Sequence, residues 1–192
     1  MINNIVLKGE IIKELTSLKK TGKRMILAVS RRSGVIDNVP IIVELSQAED
    51  LDIQVGCRVH VEGAAISFHE NGHLQLAVLV DFIMKIDLMD EKDKNIFKLS
   101  GSICKEPSYR ITKKDVELTC FMMACRDVYV PVVAFFQNAL FLKECSVGYQ
   151  LEVTGRLQSR TYIKVDETTH EEVERREYME LAIKELLGVD VN

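Results

Sequence analysis

Arg156, Gln158, Arg160, Tyr162 and Lys164 stand two apart along one stretch of a 192-residue chain. Two is the side-chain period of a β-strand, so these five residues share one face of one extended segment. Three cations and an aromatic ring are groups that hold a polyanion carrying flat bases. The cations meet phosphates, and the ring gives any base a stacking surface. The opposite face of the same stretch, Tyr149, Leu151, Val153, Gly155 and Leu157, is apolar and belongs against a core.

The elements that must hold this strand occur twice. Asn3, Gly9, Ile11, Lys13 and Glu14 recur as Asn95, Gly101, Ile103, Lys105 and Glu106 at an offset of about 92 residues. The same offset sets Val55-Gly56 on Val147-Gly148, Val61 and Gly63 on Val153 and Gly155, and Ser67 on Ser159. With small loop shifts Pro40 matches Pro131 and Arg31 matches Arg126. Spaced matches at one offset indicate internal duplication.

Each copy reads in the same order. A glycine-bearing strand is followed by a charged turn region, with Thr21-Gly22 as the turn of the first copy. A second strand follows (25–31 or 118–126), then a third carrying the proline (39–45 or 129–135). A short helix comes next. Ser46 to Glu49 reads as the capping box of the first helix, and Asn138 as the cap of the second, over 139–144. A fourth and a fifth strand close each copy, the fifth being His73 to Ile83 or Tyr178 to Leu187. The last segment is rich in helix-forming residues, but Met179, Leu181 and Ile183 alternate with polar neighbours as a strand requires. Five strands with one helix between the third and fourth is the OB-fold order. The expected architecture is all-β with short helices: two tandem five-stranded OB-fold barrels, over 1–84 and 95–188, joined by a charged linker over 85–94.

The string Gly155-Arg-Leu-Gln-Ser-Arg-Thr-Tyr162 resembles the hairpin strand of bacterial single-stranded-DNA-binding proteins (SSB), an OB-fold family. Lys105-Glu-Pro107-Ser-Tyr109-Arg110 is similar to that family's turn after the first strand. Ala124-Cys-Arg126 is similar to the end of its second strand, and Tyr129 to Phe135 to its third. The likeness runs over about 95–183 and reaches the first copy through the repeat. The whole chain resembles tandem two-OB SSB-like proteins of Gram-positive bacteria. The resemblance implies single-stranded DNA as ligand, with RNA an open alternative. It implies Tyr129, Phe135 and Tyr162 as stacking residues and Arg110, Arg126, Arg156, Arg160 and Lys164 on phosphates, with Gln158 on the same face. Familiar assemblies of the family combine four OB domains, so two per chain implies a homodimer. The chain departs from the family in three ways. It has no tryptophan, Phe136 stands where a glycine is usual after the aromatic of the third strand, and it ends Leu187 to Asn192 without the acidic, apolar-tipped tail of the housekeeping members.

The two copies differ where the chemistry would be. Arg156, Gln158 and Arg160 are matched in the first copy by Ala64, Ile66 and Phe68, an apolar face that reads as having exchanged binding for packing. The cations left to the first copy are Lys19, Lys20, Lys23, Arg24, Arg31 and Arg32. Charge is local rather than global. The chain carries −4, yet 95–165 holds ten basic and six acidic residues, net +4, while 166–192 holds three and nine, net −6. The acidic excess opens in a loop over 166–174, which is expected to point away from a polyanion.

Five cysteines with no Cys-x-x-Cys spacing and four scattered histidines imply no metal site and no cofactor, and fit reduced thiols in a cytoplasm. No leader pattern opens the chain, and no apolar run is long enough to span a bilayer. No phosphate loop, His-Glu metal motif or nucleophile–base pair points to an enzyme. A second reading remains: an OB scaffold that binds protein within a replication, primosome or mobile-element complex, with weak affinity for nucleic acid.

Overall fold

The computed structural model describes residues 1–15, 22–86, 92–166 and 172–190, with residues 164–165 and 189–190 described by backbone alone. The expected Thr21-Gly22 turn lies partly outside the described residues, as do half of the linker and most of the acidic loop. Among the described residues ten strands and two short helices follow the expected order. They are β1 (Asn3–Leu15), β2 (Gly22–Ser30), β3 (Ile36–Glu44), α1 (Leu45–Asp50), β4 (Arg58–Glu70) and β5 (His73–Lys85), and then β6 (Lys94–Ile111), β7 (Glu117–Cys125), β8 (Val128–Phe135), α2 (Phe136–Leu142), β9 (Gln150–Val165) and β10 (Glu172–Asp190). The last segment is a strand, as its alternation predicts, and begins six residues earlier than expected.

In each half the first strand pairs with both the second and the fourth, and the third pairs in parallel with the fifth. The order β1-β2-β3-β5-β4 thus closes on β1, and β6-β7-β8-β10-β9 closes on β6. Strand alternation fills each barrel. Ile5, Leu7, Ile11, Met25, Leu27, Val39 and Ile41 are buried in the first, and Phe97, Leu99, Ile103, Met123, Val130 and Val153 in the second.

The residues that revealed the repeat do equivalent work. Asn3 turns its side-chain amide onto Ala65: its Nδ2 donates to the Ala65 carbonyl and its Oδ1 accepts from the Ala65 N–H, both at 2.9 Å. Asn95 does the same to Leu157, at 2.7 and 2.9 Å. Gly9 and Gly101, and Gly63 and Gly155, mark close strand crossings. A Cβ on Gly155 would lie 2.1 Å from the Ala182 carbonyl oxygen, and one on Gly63 would lie 2.1 Å from that of Leu79. Neither neighbour can yield, because each is backbone. Gly155→Ala and Gly63→Ala should therefore each cost about 1–3 kcal/mol or more. Gly188→Ala, whose Cβ would meet only Glu152 Cβ at 3.8 Å, should be near neutral. Urea midpoints of the three variants check the ranking.

The barrels join through antiparallel β1 and β6, with Asn3 opposite Leu99 and Ile5 opposite Phe97. The repeat makes this pairing two-fold symmetric about Ile5 and Phe97. The symmetry extends to the hairpins, each of which reaches over the other barrel. Ser67 Oγ accepts from the Tyr129 N–H at 2.9 Å, and its counterpart Ser159 Oγ accepts from the Asn38 N–H at 3.3 Å. The hairpin tips meet where Arg176 donates to His73 Nδ1 and His73 Nε2 lies 3.5 Å from Glu174.

Both expected helix caps differ from the structure. α1 begins one residue before Ser46, and its N-cap position, Glu44, makes no side-chain capping bond. Asn138 lies inside α2 and donates instead to the Lys184 carbonyl on β10 at 3.4 Å. In both copies tertiary packing sets the helix start, and the local capping pattern does not. Among the described residues no helix is long and apolar enough to cross a membrane.

Candidate nucleic-acid interface

The nine residues singled out from the sequence divide into three groups. Arg110, at the end of β6, is exposed and stands opposite Leu118 on β7, which in turn stands opposite Phe135 on β8. Arg160, on β9, stands opposite Tyr178 on β10. Arg110, Arg160, Tyr178 and Glu180 are electrostatic neighbours. Both arginines act on the Cys120 thiol and on the Tyr178 hydroxyl, whose pKa values are raised chiefly by burial and also by Glu180. Leu118, Val133 and Ala182 form a small buried apolar cluster, with Cys120 and Phe135 packed against it. Phe135 is thus half-buried in packing. Tyr129, 47 % exposed, and Arg126, exposed in the β7–β8 turn, border this surface.

The second group is drawn between the barrels. The two-residue spacing of β9 predicts a free charged face, but Gln158 is only 5 % exposed. Its Oε1 accepts from Arg156 Nη2 at 3.1 Å, and its Nε2 donates to Glu180 Oε1 at 2.6 Å. Arg31, from the first barrel, reaches the same Oε1 at 3.5 Å and grips Asp37 with two bonds, Nε to Oδ2 at 2.7 Å and Nη2 to Oδ1 at 2.5 Å. Asp37 is fully buried, and its Oδ1 also accepts from the Ser159 N–H of β9 at 3.2 Å. The pair raises the Arg31 pKa, while burial and the nearby Arg31 lower that of Arg156. Gln158 therefore links Arg156 and Glu180 to Arg31 of the first barrel, while Arg160 lies 3.4 Å from Glu180 toward the outer surface of the second.

The third group lies toward the hairpin tip. Tyr162 is 40 % exposed, and the Arg176 guanidinium lies 4.6 Å over its ring. One face of that ring already holds a cation. Lys164 is in β9, but its side chain falls outside the described residues.

In the first barrel Ala64, Ile66 and Phe68 are half-buried, and Arg24 stacks on Phe68 at 5.4 Å while pairing with Glu70 at 2.9 Å. Two of its cations are thus committed, Arg24 to Glu70 and Arg31 to Asp37. Lys19 and Lys20 lie outside the described residues. The β9–β10 hairpin lies over this barrel and leaves an open cleft of about 340 Å³, bordered by Asn38, Pro40, Gln75, Ser159 and Tyr178. In the acidic loop, Glu172 is occupied by Arg175 and Glu174 by Arg176. Among the described residues no group of three His, Cys, Asp or Glu is placed to hold a metal ion.

The sequence reading passed over Asp37, Tyr178 and Glu180. Asp37 had a readable signal: it shares the parity of Val39, Ile41 and Val43, all buried, so a charge stood on a core-facing register. Glu180 had a weaker one, as the acidic member of a strand facing Arg160.

No family model matches the sequence, and no curated protein matches it. Solved structures do. The wild-type single-stranded DNA binding protein from Thermus aquaticus is 18 % identical, with a TM-score of 0.77, covering 100 % of this chain and 94 % of that one. A deletion mutant of the same protein gives a TM-score of 0.74 at 18 % identity, covering 100 % and 95 %. The N-terminal domain of PriB from Thermoanaerobacter tencongensis is 28 % identical over 44 % of this chain and 97 % of its own, with a TM-score of 0.38. The chain is a tandem OB-fold protein built like the Thermus protein from end to end.

Proposed function

We propose that this chain is a non-enzymatic, cytoplasmic protein that binds single-stranded DNA with little regard to sequence, mainly through the outer surface of its second barrel. One observation carries the reading: Arg160 and the exposed rings of that surface have no like residue in the first barrel, where Arg31, the counterpart of Arg126, is bound to Asp37. At the positions matching Tyr129, Phe135, Arg160 and Tyr162 the first barrel has Asn38, Glu44, Phe68 and Glu70. The duplicated scaffold is common to both copies, so the difference reflects what the second copy does. Arg110, Arg126 and Arg160 serve the backbone, while Tyr129 and the exposed edge of Phe135 serve bases. The fold shared with a protein named for single-stranded DNA binding supports the assignment.

Two chains would bring four barrels together. Ile96 on β6, Val6 on β1, Glu62 on β4 and Phe82 on β5 form one row across four paired strands, flanked by Leu79 and Met84. Leu79, Phe82 and Met84 are each more than two-fifths exposed. A homodimer through this face covers the apolar side chains of Ile96, Leu79, Phe82 and Met84 that surround Glu62. Light scattering should give twice the chain mass, and Phe82→Asp should halve it.

The same row also favours a second reading, an OB scaffold whose ligand is another protein. Fluorescence anisotropy with labelled oligothymidine, at low and moderate salt and beside a matched duplex, separates the two. Tight single-strand binding that weakens with salt is expected, because phosphate contacts release counterions. Absence of binding at low salt would leave the protein-binding scaffold. Oligouridine in the same assay sets the preference between DNA and RNA.

A further inference from the structure

Phe136 opens α2 with φ at 54°, in the left-handed region, and its side chain is 62 % exposed. A bulky residue is a true outlier there. Four other non-glycine residues among those described have positive φ. Asp52, Asn71 and Asp115 are of the types that tolerate it, and the fourth is Arg126. Arg126 and Phe136 stand at the two ends of β8, the strand that carries Tyr129 and Phe135.

The first barrel does not share this conformation. In the first barrel α1 opens at the matching residue, Leu45, which is not among the positive-φ residues, and the preceding Glu44 has an ordinary φ of −59°. The strained junction belongs to the copy with the cationic, aromatic surface. Burial does not account for it, since Phe136 is largely in solvent and touches Phe135 only obliquely, with centroids 6.5 Å apart at 45°. Strained residues persist where the surroundings over-determine them, and they gather at ligand sites.

Geometry supplies the ligand. Tyr129 and Phe135 share the outward register of β8, six residues or about 20 Å apart. Arg110 stands in the same cross-strand row as Phe135, through Leu118. Phe136 follows at the end of the strand, its ring centroid 6.5 Å from that of Phe135. We propose that Phe136 is a base-stacking residue, extending the track of Tyr129 past the end of β8 so that a base of the single strand rests on its exposed ring. This inference rests on the function proposed above.

Two variants test it in the full-length protein, with oligothymidine anisotropy and thermal unfolding measured side by side. Phe136→Asn removes the ring and suits the left-handed backbone, so its unfolding temperature should equal or exceed that of the parent. Its affinity should fall roughly tenfold or more, the loss of one stacked base. Phe136→Tyr keeps a ring and should bind within about twofold of the parent. If the parent binds and Phe136→Asn binds equally well, Phe136 is no stacking residue, and the proposed function stands without it. A clear fall in the unfolding temperature of Phe136→Asn would make the ring structural and overturn the inference. If the parent itself fails to bind the single strand, it is the proposed function that fails, and this inference falls with it.

Discussion

Asp37→Ala should lower the unfolding temperature by on the order of 10 °C. The Asp37 carboxylate is fully buried, accepts two bonds from Arg31 and accepts a third from the Ser159 N–H of the other barrel. Removing it strands the Arg31 guanidinium, with its side chain only 23 % exposed, beside the cation of Arg156. Breaking a buried pair from one side costs about 3–5 kcal/mol, because the desolvation penalty of the remaining charge is no longer offset. In a chain of this size each kcal/mol moves the midpoint by roughly 2–4 °C. Replacing both partners, Arg31→Met with Asp37→Leu, should recover most of the loss, since the pair's own net contribution is small once neither charge is left alone. Circular dichroism melts of the single and double variants decide the matter. A single variant within about 3 °C of the parent would show that the barrels are held by β1–β6 pairing and apolar contact instead.

That network also explains which parts of the molecule were legible in the sequence. The duplication was legible because it rests on hydrogen-bonding and steric constraints that recur. An asparagine must bond both backbone groups of one residue, and a glycine must admit a neighbouring carbonyl. Such needs leave invariant spacing. The strand faces were legible for the same reason: alternation identifies the side that meets a core, as it did for Leu151, Val153 and Leu157. Alternation does not identify what covers the other side. Arg156 and Gln158 have the period and chemistry of a free ligand face, yet β9 runs beyond its own barrel and lays them against β3 of the other. Only the parity of Asp37 hinted at the covering partner. The helix caps were misread because Ser46 and Asn138 carry the right side chains one and two residues inside helices whose starts are set elsewhere.

Arg110 and Arg156 should therefore respond differently to charge reversal, though the sequence ranks them alike. Arg110→Glu changes an exposed side chain at the end of β6 and should leave the unfolding temperature unchanged. On the proposed function it removes about 1 kcal/mol of attraction to a phosphate and adds about as much repulsion at a water-like dielectric. Affinity for oligothymidine at low salt should then fall roughly thirtyfold. The salt dependence should become shallower by about the share of one phosphate contact. Tyr129→Ala should lose about 1–3 kcal/mol with its salt slope unaltered, since stacking releases no counterions. Arg156→Glu places a carboxylate beside Asp37, in the layer shared with Gln158 and Glu180, so its first effect should be on stability. Anisotropy at two salt concentrations, paired with a melt of each variant, resolves all three. A salt slope unchanged by Arg110→Glu would take Arg110 out of contact with the phosphates. Normal stability in Arg156→Glu would mean that the junction can admit a further carboxylate, and that the buried layer is held chiefly by Arg31 and its aspartate.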